Sequence, residues 1–430
     1  MSQQSQSLFE NVLFKRIFYT VVALFIFRLG TFIPTPGIDT KALADFASHQ
    51  GVGLLKLLNM FTGGALSKFS VFSLGVMPYI SASIIMQLMT VVVPTLEQLQ
   101  KEGGVGRQKI VRITRTLAIV LAFIQGYLFS AGLESAQGSD GSSIVMDPGI
   151  QFRLMSALLL ATGSAFVMWI GEQITDKGIG NGISLVIFAG IVSALPPSVY
   201  SIIQQVQQNS SLMFDALMLF AFLLAIIIFI TFIESSYRKI PIHYARRTIG
   251  VKVMSEQSTH LPLKVNMSGI MAAIFSSTLL AVPATFLGFN QNLQDHPLLL
   301  DLLPGQWLYN VIFAILAMFF AFFYTSIIFK PDDVAENLKK QNAFIPRLRP
   351  GSETANALDS VVTRLTLVGG LYLNLVVILP SAFGNSLSNQ MALGGTSMLI
   401  MVGVALEVIR QVTAHLATQK YDNLIFSKKE

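Results

Sequence analysis

The sequence of 430 residues contains no cysteine, and only 12% of its residues are charged. The absence of cysteine excludes a disulfide framework, a thiolate metal site and a cysteine nucleophile. An average soluble domain carries about 25% charged residues, so a soluble protein with half that proportion would leave large apolar patches exposed to water. Because 53% of the residues are hydrophobic, the composition predicts a helical protein that crosses a membrane several times, and excludes a soluble enzyme or a disordered chain.

Motifs for catalysis and for cofactor binding are also missing. All five histidines fall in predicted loops or tails, and the sequence has neither an HExxH metal helix nor a GxSxG nucleophile turn. The glycine cluster Gly178–Gly182 superficially resembles a phosphate-binding loop, but no strand precedes it and no Lys-Ser/Thr pair follows. We therefore predict a tight turn at this position, no enzymatic activity, no cofactor and no metal site.

Ten apolar segments are long enough to cross about 30 Å of hydrocarbon. They are residues 17–33, 71–93, 113–133, 154–173, 182–203, 214–233, 268–288, 308–329, 361–382 and 391–412. The first segment ends at Pro34–Gly37 rather than at a small-residue cleavage site, which predicts a retained span rather than a signal peptide.

The basic residues divide unequally between alternate loops. With the N-terminus placed in the cytoplasm, 24 of the 29 Lys and Arg residues lie on the inner side, 4 lie on the outer side, and Arg28 lies within the first span. This asymmetry follows the positive-inside rule and predicts that both termini are cytoplasmic. Topology thus explains the net charge of +6, and no direct nucleic-acid readout is expected.

Ten spans divide into two sets of five, residues 1–205 and 206–430, and an odd number of spans gives the two halves opposite orientations. Such an inverted repeat is compatible with a channel or with a secondary transporter. Ion-coupled transporters usually need a charged group near mid-membrane, whereas Glu172, Asp215 and Glu407 lie near span ends. A channel is therefore favoured, and a secondary transporter with a five-plus-five inverted repeat is the alternative.

Six segments that run in order through almost the whole chain carry a family resemblance. They are NMFTGGALS (59–67), LGVMPYISASIIMQL (74–88), GEQITDKGIGNGIS (171–184), QSTHLPLKVNM (257–267), NLKKQNAFIPRLRP (337–350) and GGTSMLI (394–400). Together they resemble the SecY family, the main channel subunit of the bacterial protein-export translocon. The resemblance implies an all-α polytopic fold in which ten helices form two inverted five-helix halves around a central pore. Unfolded polypeptides would cross the bacterial cytoplasmic (inner) membrane through this pore, and hydrophobic segments would leave it laterally.

The same resemblance implies a ring of isoleucines at the centre of the pore. By motif position, the ring residues are Ile80, Ile84, Ile183, Ile187, Ile274 and Ile400. An apolar constriction resists ions by dewetting and forms no specific bonds with a passing chain. The i, i+4 spacing places the first two residues on one helix face, and the next two on one face of another helix.

Two moving parts are implied next to the ring. A plug on the outer side would occupy residues about 59–69, comprising Asn59, Met60, Phe61, Thr62, Gly63, Gly64, Ala65, Leu66, Ser67 and Lys68. A lateral gate would lie between spans 71–93 and 268–288, with span 113–133 nearby, and its candidate residues are Ser83, Gln87, Gln125 and Thr278.

The long inner loops at about 234–267 and 330–360 carry six and five basic residues, and Arg364 follows the second loop. The family uses these loops to dock the ribosome or the SecA motor ATPase. The candidate docking residues are Arg246, Arg247, Arg347 and Arg349. SecE-like and SecG-like small membrane subunits, signal sequences, unfolded preproteins and membrane lipids are the other implied partners.

Overall fold

The computed structural model describes residues 2–40, 42–43, 62–135, 143–209, 212–244, 248–249, 252–253, 258–288, 306–382 and 394–427. The helices in these ranges are α1 (Ser2–Gly30), α2 (Met77–Val92), α3 (Pro94–Lys101), α4 (Gly104–Ser135), α5 (Ile150–Lys177), α6 (Gly182–Gln208), α7 (Leu212–Glu234), α8 (Met271–Gly288), α9 (Trp307–Ile328), α10 (Pro331–Lys340), α11 (Ser352–Ala382) and α12 (Gly395–Ser427). The strands are β1 (Tyr237–Tyr244), β2 (Thr248–Ile249), β3 (Lys252–Val253), β4 (Ser258–Lys264) and β5 (Ala343–Phe344).

A helix of this set overlaps each of the ten predicted spans. By length and apolar composition, seven helices of the described ranges are able to cross a membrane, and the bent pair α2–α3 would make eight. Helices α1 and α8 occupy the two remaining predicted spans. The protein is therefore a multi-pass helical membrane protein, and the full count of ten crossings stays a prediction.

The second span begins later than the apolar pattern predicted. Residues 71–76 form turns, and α2 begins at Met77 with Pro78 in its first turn, where a missing backbone N–H leaves no helical bond unmade. Val71 N donates to Ile33 O at 3.0 Å, which ties this segment to the end of α1. At the other end, α3 bends away from α2 by 99°. Apolar composition could not separate these turns from helix because their side chains are mostly buried.

The two long inner loops share one antiparallel sheet, which the sequence did not predict. Strand β1 pairs with β4 from Tyr237 opposite Lys264 to His243 opposite Ser258, and its other edge pairs with β5. The strand order is thus β4-β1-β5. The polar loop composition concealed the sheet, because its pairing joins segments that lie about a hundred residues apart in the sequence.

The interior is divided into a central and an outer apolar cluster. The central cluster draws buried side chains from α1, α2, α5, α6, α7, α8, α9, α11 and α12. The outer cluster includes Leu66, Phe69 and Phe129. Helices α7 and α9 instead expose large apolar side chains such as Leu217 and Ile315 on their outward faces. In a membrane, lipid covers such faces, so their exposure agrees with the multi-pass topology.

Candidate functional site

All six isoleucines of the predicted ring belong to the central apolar cluster. Five of them are buried, with exposed fractions between 0% for Ile400 and 6% for Ile80, and the sixth, Ile183, is partly buried against the same cluster. They come from four helices, α2, α6, α8 and α12. The structure therefore places in one large apolar cluster residues that are as much as 320 positions apart in the sequence, and their arrangement as a ring stays a prediction.

The four ring helices contact one another in succession. Helix α2 touches α8, α8 touches α12, and α12 touches α6. The residues that surround Ile274 on α8 are buried continuously from Ala272 to Thr278, so this helix is enclosed by protein rather than by lipid. Helices from both the first and the second half of the chain thus contribute buried apolar side chains to the central cluster.

The predicted plug is described from Thr62 onwards, and Asn59, Met60 and Phe61 lie outside the described residues. Thr62, Ala65 and Leu66 are buried, and a short 3-10 turn covers Leu66–Lys68. The Ala65 carbonyl accepts hydrogen bonds from Ser70 N and from Ser73 Oγ, both at 3.0 Å. These bonds fold the segment back onto the turns that precede α2.

Arg28, the charged residue within the first span, binds the plug segment. Its Nη1 donates to the carbonyl of Gly63. Gly63 has a φ of +67°, and a Cβ added there would lie 2.9 Å from the Gly190 Cα of α6, so only glycine allows this close approach. The contact explains why a basic residue is retained in an otherwise apolar span, which composition alone could not do.

Lys68, at the end of the plug segment, is the second cation in this region. Its Nζ lies 3.8 Å from the centroid of the Phe32 ring, and the Cζ of Arg28 lies 5.4 Å from the same centroid. Partial burial lowers the pKa of Lys68, and the neighbouring Arg28 lowers it further. The Phe32 ring thus forms cation–π contacts with two cations beside the predicted plug segment.

The predicted lateral gate corresponds to the contact between α2 and α8, which we call the seam. Ser83 and Gln87 bond to each other along α2, with Gln87 Nε2 donating to Ser83 Oγ at 3.2 Å. Gln87 Oε1 is buried and has no hydrogen-bond partner within the described ranges. Thr278 of α8 is buried, and Gln125 of α4 is partly buried. Among these candidate gate residues, Gln87 thus carries one buried oxygen without a hydrogen bond within the described ranges, and the assignment of individual gate residues stays a prediction.

The glycine cluster between α5 and α6 forms the predicted tight turn. Its amide hydrogens are already used within the chain: Gly180 N donates to Gln411 Oε1 at 2.7 Å, and Gly182 N donates to Thr175 Oγ1 at 2.9 Å. Asn181 Oδ1 accepts from Ile183 N at 3.1 Å and so caps α6. These bonds leave this turn unlike a phosphate-binding loop, whose amides point towards the ligand.

Of the four predicted docking residues, Arg347 and Arg349 are exposed beyond β5, whereas Arg246 and Arg247 lie outside the described residues. Thr354 Oγ1 donates to the carbonyl of Arg349 at 2.7 Å, and this bond fixes the backbone while the side chain stays in solvent. Ile242 of β1 packs with Leu338 of α10, so the two inner loops form a single body. We call this body, which consists of strands β4, β1 and β5 together with the helix α10 packed on them, the cytoplasmic sheet.

The fold and the site define a class of protein. Helices of both halves contribute to a buried apolar centre, and a second apolar cluster contains residues of the segment that precedes α2. Such a centre is typical of a membrane channel with a hydrophobic constriction.

Comparison with known proteins gives the family. The SecY family model matches residues 70–409. "Protein translocase subunit SecY" of Escherichia coli K12 is 45% identical over 417 residues, which cover 96% of this chain and 93% of the relative. The chain belongs to the SecY family.

Solved structures agree at the level of the fold. A structure described as "The structure of a protein conducting channel" matches with a TM-score of 0.68 and 16% identity, covering 95% of this chain and 94% of the other. "Sec61 in the Canine ribosome-channel complex from the endoplasmic reticulum" matches with a TM-score of 0.65 and 16% identity over the same shares. At this identity the likeness concerns the fold alone.

Two features of the site were missed by reasoning from the sequence. The first is the β4-β1-β5 sheet that joins the two inner loops. The second is the contact of Arg28 with the predicted plug segment. A charged residue near the outer end of a span was a visible signal, because such residues are rare and usually functional. Its partner could not be inferred, since Gly63 lies 35 residues away and binds through its backbone.

Proposed function

We propose that this chain is the central subunit of a protein-conducting channel in the cytoplasmic (inner) membrane of a bacterium. It translocates unfolded polypeptides across the membrane and releases hydrophobic segments laterally into it. The observation that carries the proposal is the convergence of the six ring isoleucines from four helices on one apolar cluster. Such a ring passes side chains of any kind because it offers no hydrogen bond, and it excludes ions when it is dry.

The segment Thr62–Lys68 serves as part of the plug. The contact of Arg28 with Gly63 supports this role, because it is a bond from a fixed helix to a backbone carbonyl that can be broken without unfolding either partner. The seam between α2 and α8 serves as the lateral gate. Its support is the direct contact of the two helices together with the unpartnered buried oxygen of Gln87.

The cytoplasmic sheet serves as the docking surface for the ribosome or for SecA. Support comes from the exposed Arg347 and Arg349 and from the exposed Arg238 on β1, since ribosomal RNA and acidic protein surfaces attract such charges. The related fold of Sec61 has been solved in a ribosome-channel complex. SecE-like and SecG-like subunits complete the channel, signal sequences and preproteins are its clients, and the energy comes from the partner rather than from catalysis by this chain.

The test is export by the reconstituted protein. The chain is placed in proteoliposomes with SecE-like and SecG-like subunits, SecA, ATP and a signal-bearing precursor, and protection of the precursor from added protease is measured. We expect protection that depends on ATP and on the signal sequence. Its absence in correctly inserted protein would reject the proposed function.

A blocked channel provides the matched control. Because the chain has no cysteine, Ser83→Cys and Thr278→Cys introduce the only thiols, and a bifunctional maleimide can join them across the seam. Cross-linking should stop export, while each single variant treated with the same reagent should continue. Continued export by the cross-linked pair would show that this seam does not open during transport.

A further inference from the structure

A buried polar cluster lies where the cytoplasmic sheet enters the helical bundle. Glu234 ends α7, and Asn266 and Ser268 lie between β4 and α8, with exposed fractions of 8%, 2% and 3%. Arg410 of α12 reaches the same point. We call Glu234, Asn266, Ser268, Gly269 and Arg410 the hairpin joint, because both strands of the β1–β4 hairpin start or end within three residues of it.

Asn266 uses both ends of its amide in the joint. Its Nδ2 donates to Glu234 Oε1 at 2.7 Å and to the Gly269 carbonyl at 3.1 Å. Its Oδ1 accepts from Ser268 Oγ at 3.0 Å and from Gly269 N at 3.1 Å. One side chain therefore fixes the turn that leads into α8 and also ties this turn to the end of α7.

The joint continues the hydrogen bonding of the hairpin. The ladder of β1 and β4 ends at Tyr237 opposite Lys264, and the next bond towards the membrane runs from Val265 N to Ser236 O at 3.2 Å. The bond between Asn266 and Glu234 follows directly. No flexible linker thus separates the cytoplasmic sheet from α8.

On the bundle side, the joint reaches two of the ring helices. Helix α8 begins at Met271, carries Ile274 and forms one side of the seam. Helix α12 carries Ile400, and its Arg410 donates through Nη2 to the carbonyl of Glu234. Buried polar bonds are strong because the surrounding dielectric is low, and breaking one leaves an unpaired buried group. Hydrogen bonds therefore connect the hairpin to the start of α8 and, through the Glu234 carbonyl, to α12.

We propose that the hairpin joint is the mechanical coupling through which a partner docked on the cytoplasmic sheet moves α8 and opens the seam. Glu234 and Asn266 act as positioning residues, since neither touches the transported chain. The proposal rests on the function proposed above. It adds that the free energy of partner binding is transmitted to the gate through the hydrogen bond between Glu234 and Asn266. The two conformational states are the closed seam and the open seam.

The seam is observed with spin labels. Ile85 of α2 and Leu279 of α8 are 40% and 43% exposed, so Ile85→Cys and Leu279→Cys can be labelled with little disturbance in a chain without other cysteines. Pulsed electron paramagnetic resonance gives the distance between the labels, with and without purified bacterial ribosomes. Co-sedimentation establishes that the ribosomes are bound in each sample.

The decisive variants reverse the central hydrogen bond. N266D keeps an acceptor for Ser268 Oγ and Gly269 N but removes both donations of Nδ2, the one to Glu234 and the one to the Gly269 carbonyl, and places a second carboxylate beside the first, which repels it. The double variant E234Q/N266D restores only the bond between positions 234 and 266, in the opposite direction, with the Gln amide donating to the Asp carboxylate, so it separates this bond from the one to the Gly269 carbonyl. Asp215→Asn, at the other and exposed end of α7, is the control for changing an acidic residue of the same helix.

We expect ribosomes to lengthen the distance between the labels in the wild-type background, in D215N and in E234Q/N266D. In N266D this shift should be lost although the ribosomes remain bound. An unchanged shift in N266D would overturn the proposal. A wild-type seam that does not move when ribosomes bind would also overturn it, while export by the wild-type protein in proteoliposomes would show that the proposed channel function survives.

Discussion

Replacing Arg28 by methionine should release the plug without removing any part of it. The guanidinium of Arg28 donates to the Gly63 carbonyl from within the first span. Methionine has a similar length and an apolar character suited to a membrane helix, so α1 should still insert. The variant removes the donor and leaves the Gly63 carbonyl without this bond.

The size of the effect follows from the type of bond. A hydrogen bond from a charged group contributes about 1.5–3 kcal/mol, and about 1.4 kcal/mol corresponds to a tenfold change in an equilibrium constant. If the bond exists only while the plug is seated, its loss raises the population of displaced plug by about 10- to 150-fold. The apolar ring would remain, so the leak should be larger than in the wild type but smaller than in a variant of the ring.

The assay is the ion conductance of the purified channel in planar bilayers or vesicles, in the absence of a motor and of precursor. R28K is the graded comparison, because lysine keeps the charge but lacks the planar fork of donors, and it should leak less than R28M. Arg107→Met is the composition control, since Arg107 is an exposed residue at the start of α4. Its conductance should equal that of the wild type.

The reasoning would be refuted if R28M were folded, inserted and as tight as the wild type. It would be refuted as well if R107M leaked as much as R28M, because loss of any arginine would then suffice.

Three further predictions concern other parts of the site. Gly182→Ala should lower the midpoint of thermal unfolding in detergent, because the added Cβ would lie 1.8 Å from the Gly171 carbonyl oxygen. Overpacking of this kind costs about 1–3 kcal/mol. The control is Gly104→Ala, whose Cβ would meet nothing within 4 Å and which should leave the midpoint unchanged. Ile187→Ser should raise the conductance of the resting channel, because it puts a hydroxyl into a ring position that is 2% exposed; an unchanged conductance would exclude Ile187 from the constriction. Arg349→Glu should reduce export severalfold in proteoliposomes while insertion stays normal, and undiminished export would remove this side chain from the docking surface.

The positions of the membrane helices were largely predictable from the sequence. Apolar segments of sufficient length and the one-sided distribution of Lys and Arg depend on transfer of each segment into lipid, which is a local property. The predicted start of the second span was wrong, because an apolar segment there does not have helical backbone geometry. Residues 71–76 are apolar but form turns, because Gly75 has a φ of +51° and the α2 helix begins only at Met77 beside Pro78.

The candidate site was predicted from the resemblance rather than from composition. Motif resemblance predicts that isoleucines of four separate segments form one ring; the structure contains all of them in the central cluster, and the ring itself stays a prediction. Neither composition nor spacing would have selected Ile274 or Ile400 from the many other apolar residues. The resemblance also implied a lateral gate between α2 and α8; the structure shows these helices in contact, and their role as a gate stays a prediction.

The sequence by itself determined that this protein lies in a membrane and which family its motifs resemble, and it predicted which side the loops face, because these properties add up along the chain. Only the tertiary structure decided that Arg28 holds Gly63, that the two inner loops share a sheet, and that Asn266 joins Glu234 at the start of α8. Each of these contacts pairs residues between 32 and 101 positions apart, and two of them use backbone groups that every residue carries. The sequence does not show which residues pair at these separations, and only the folded geometry does.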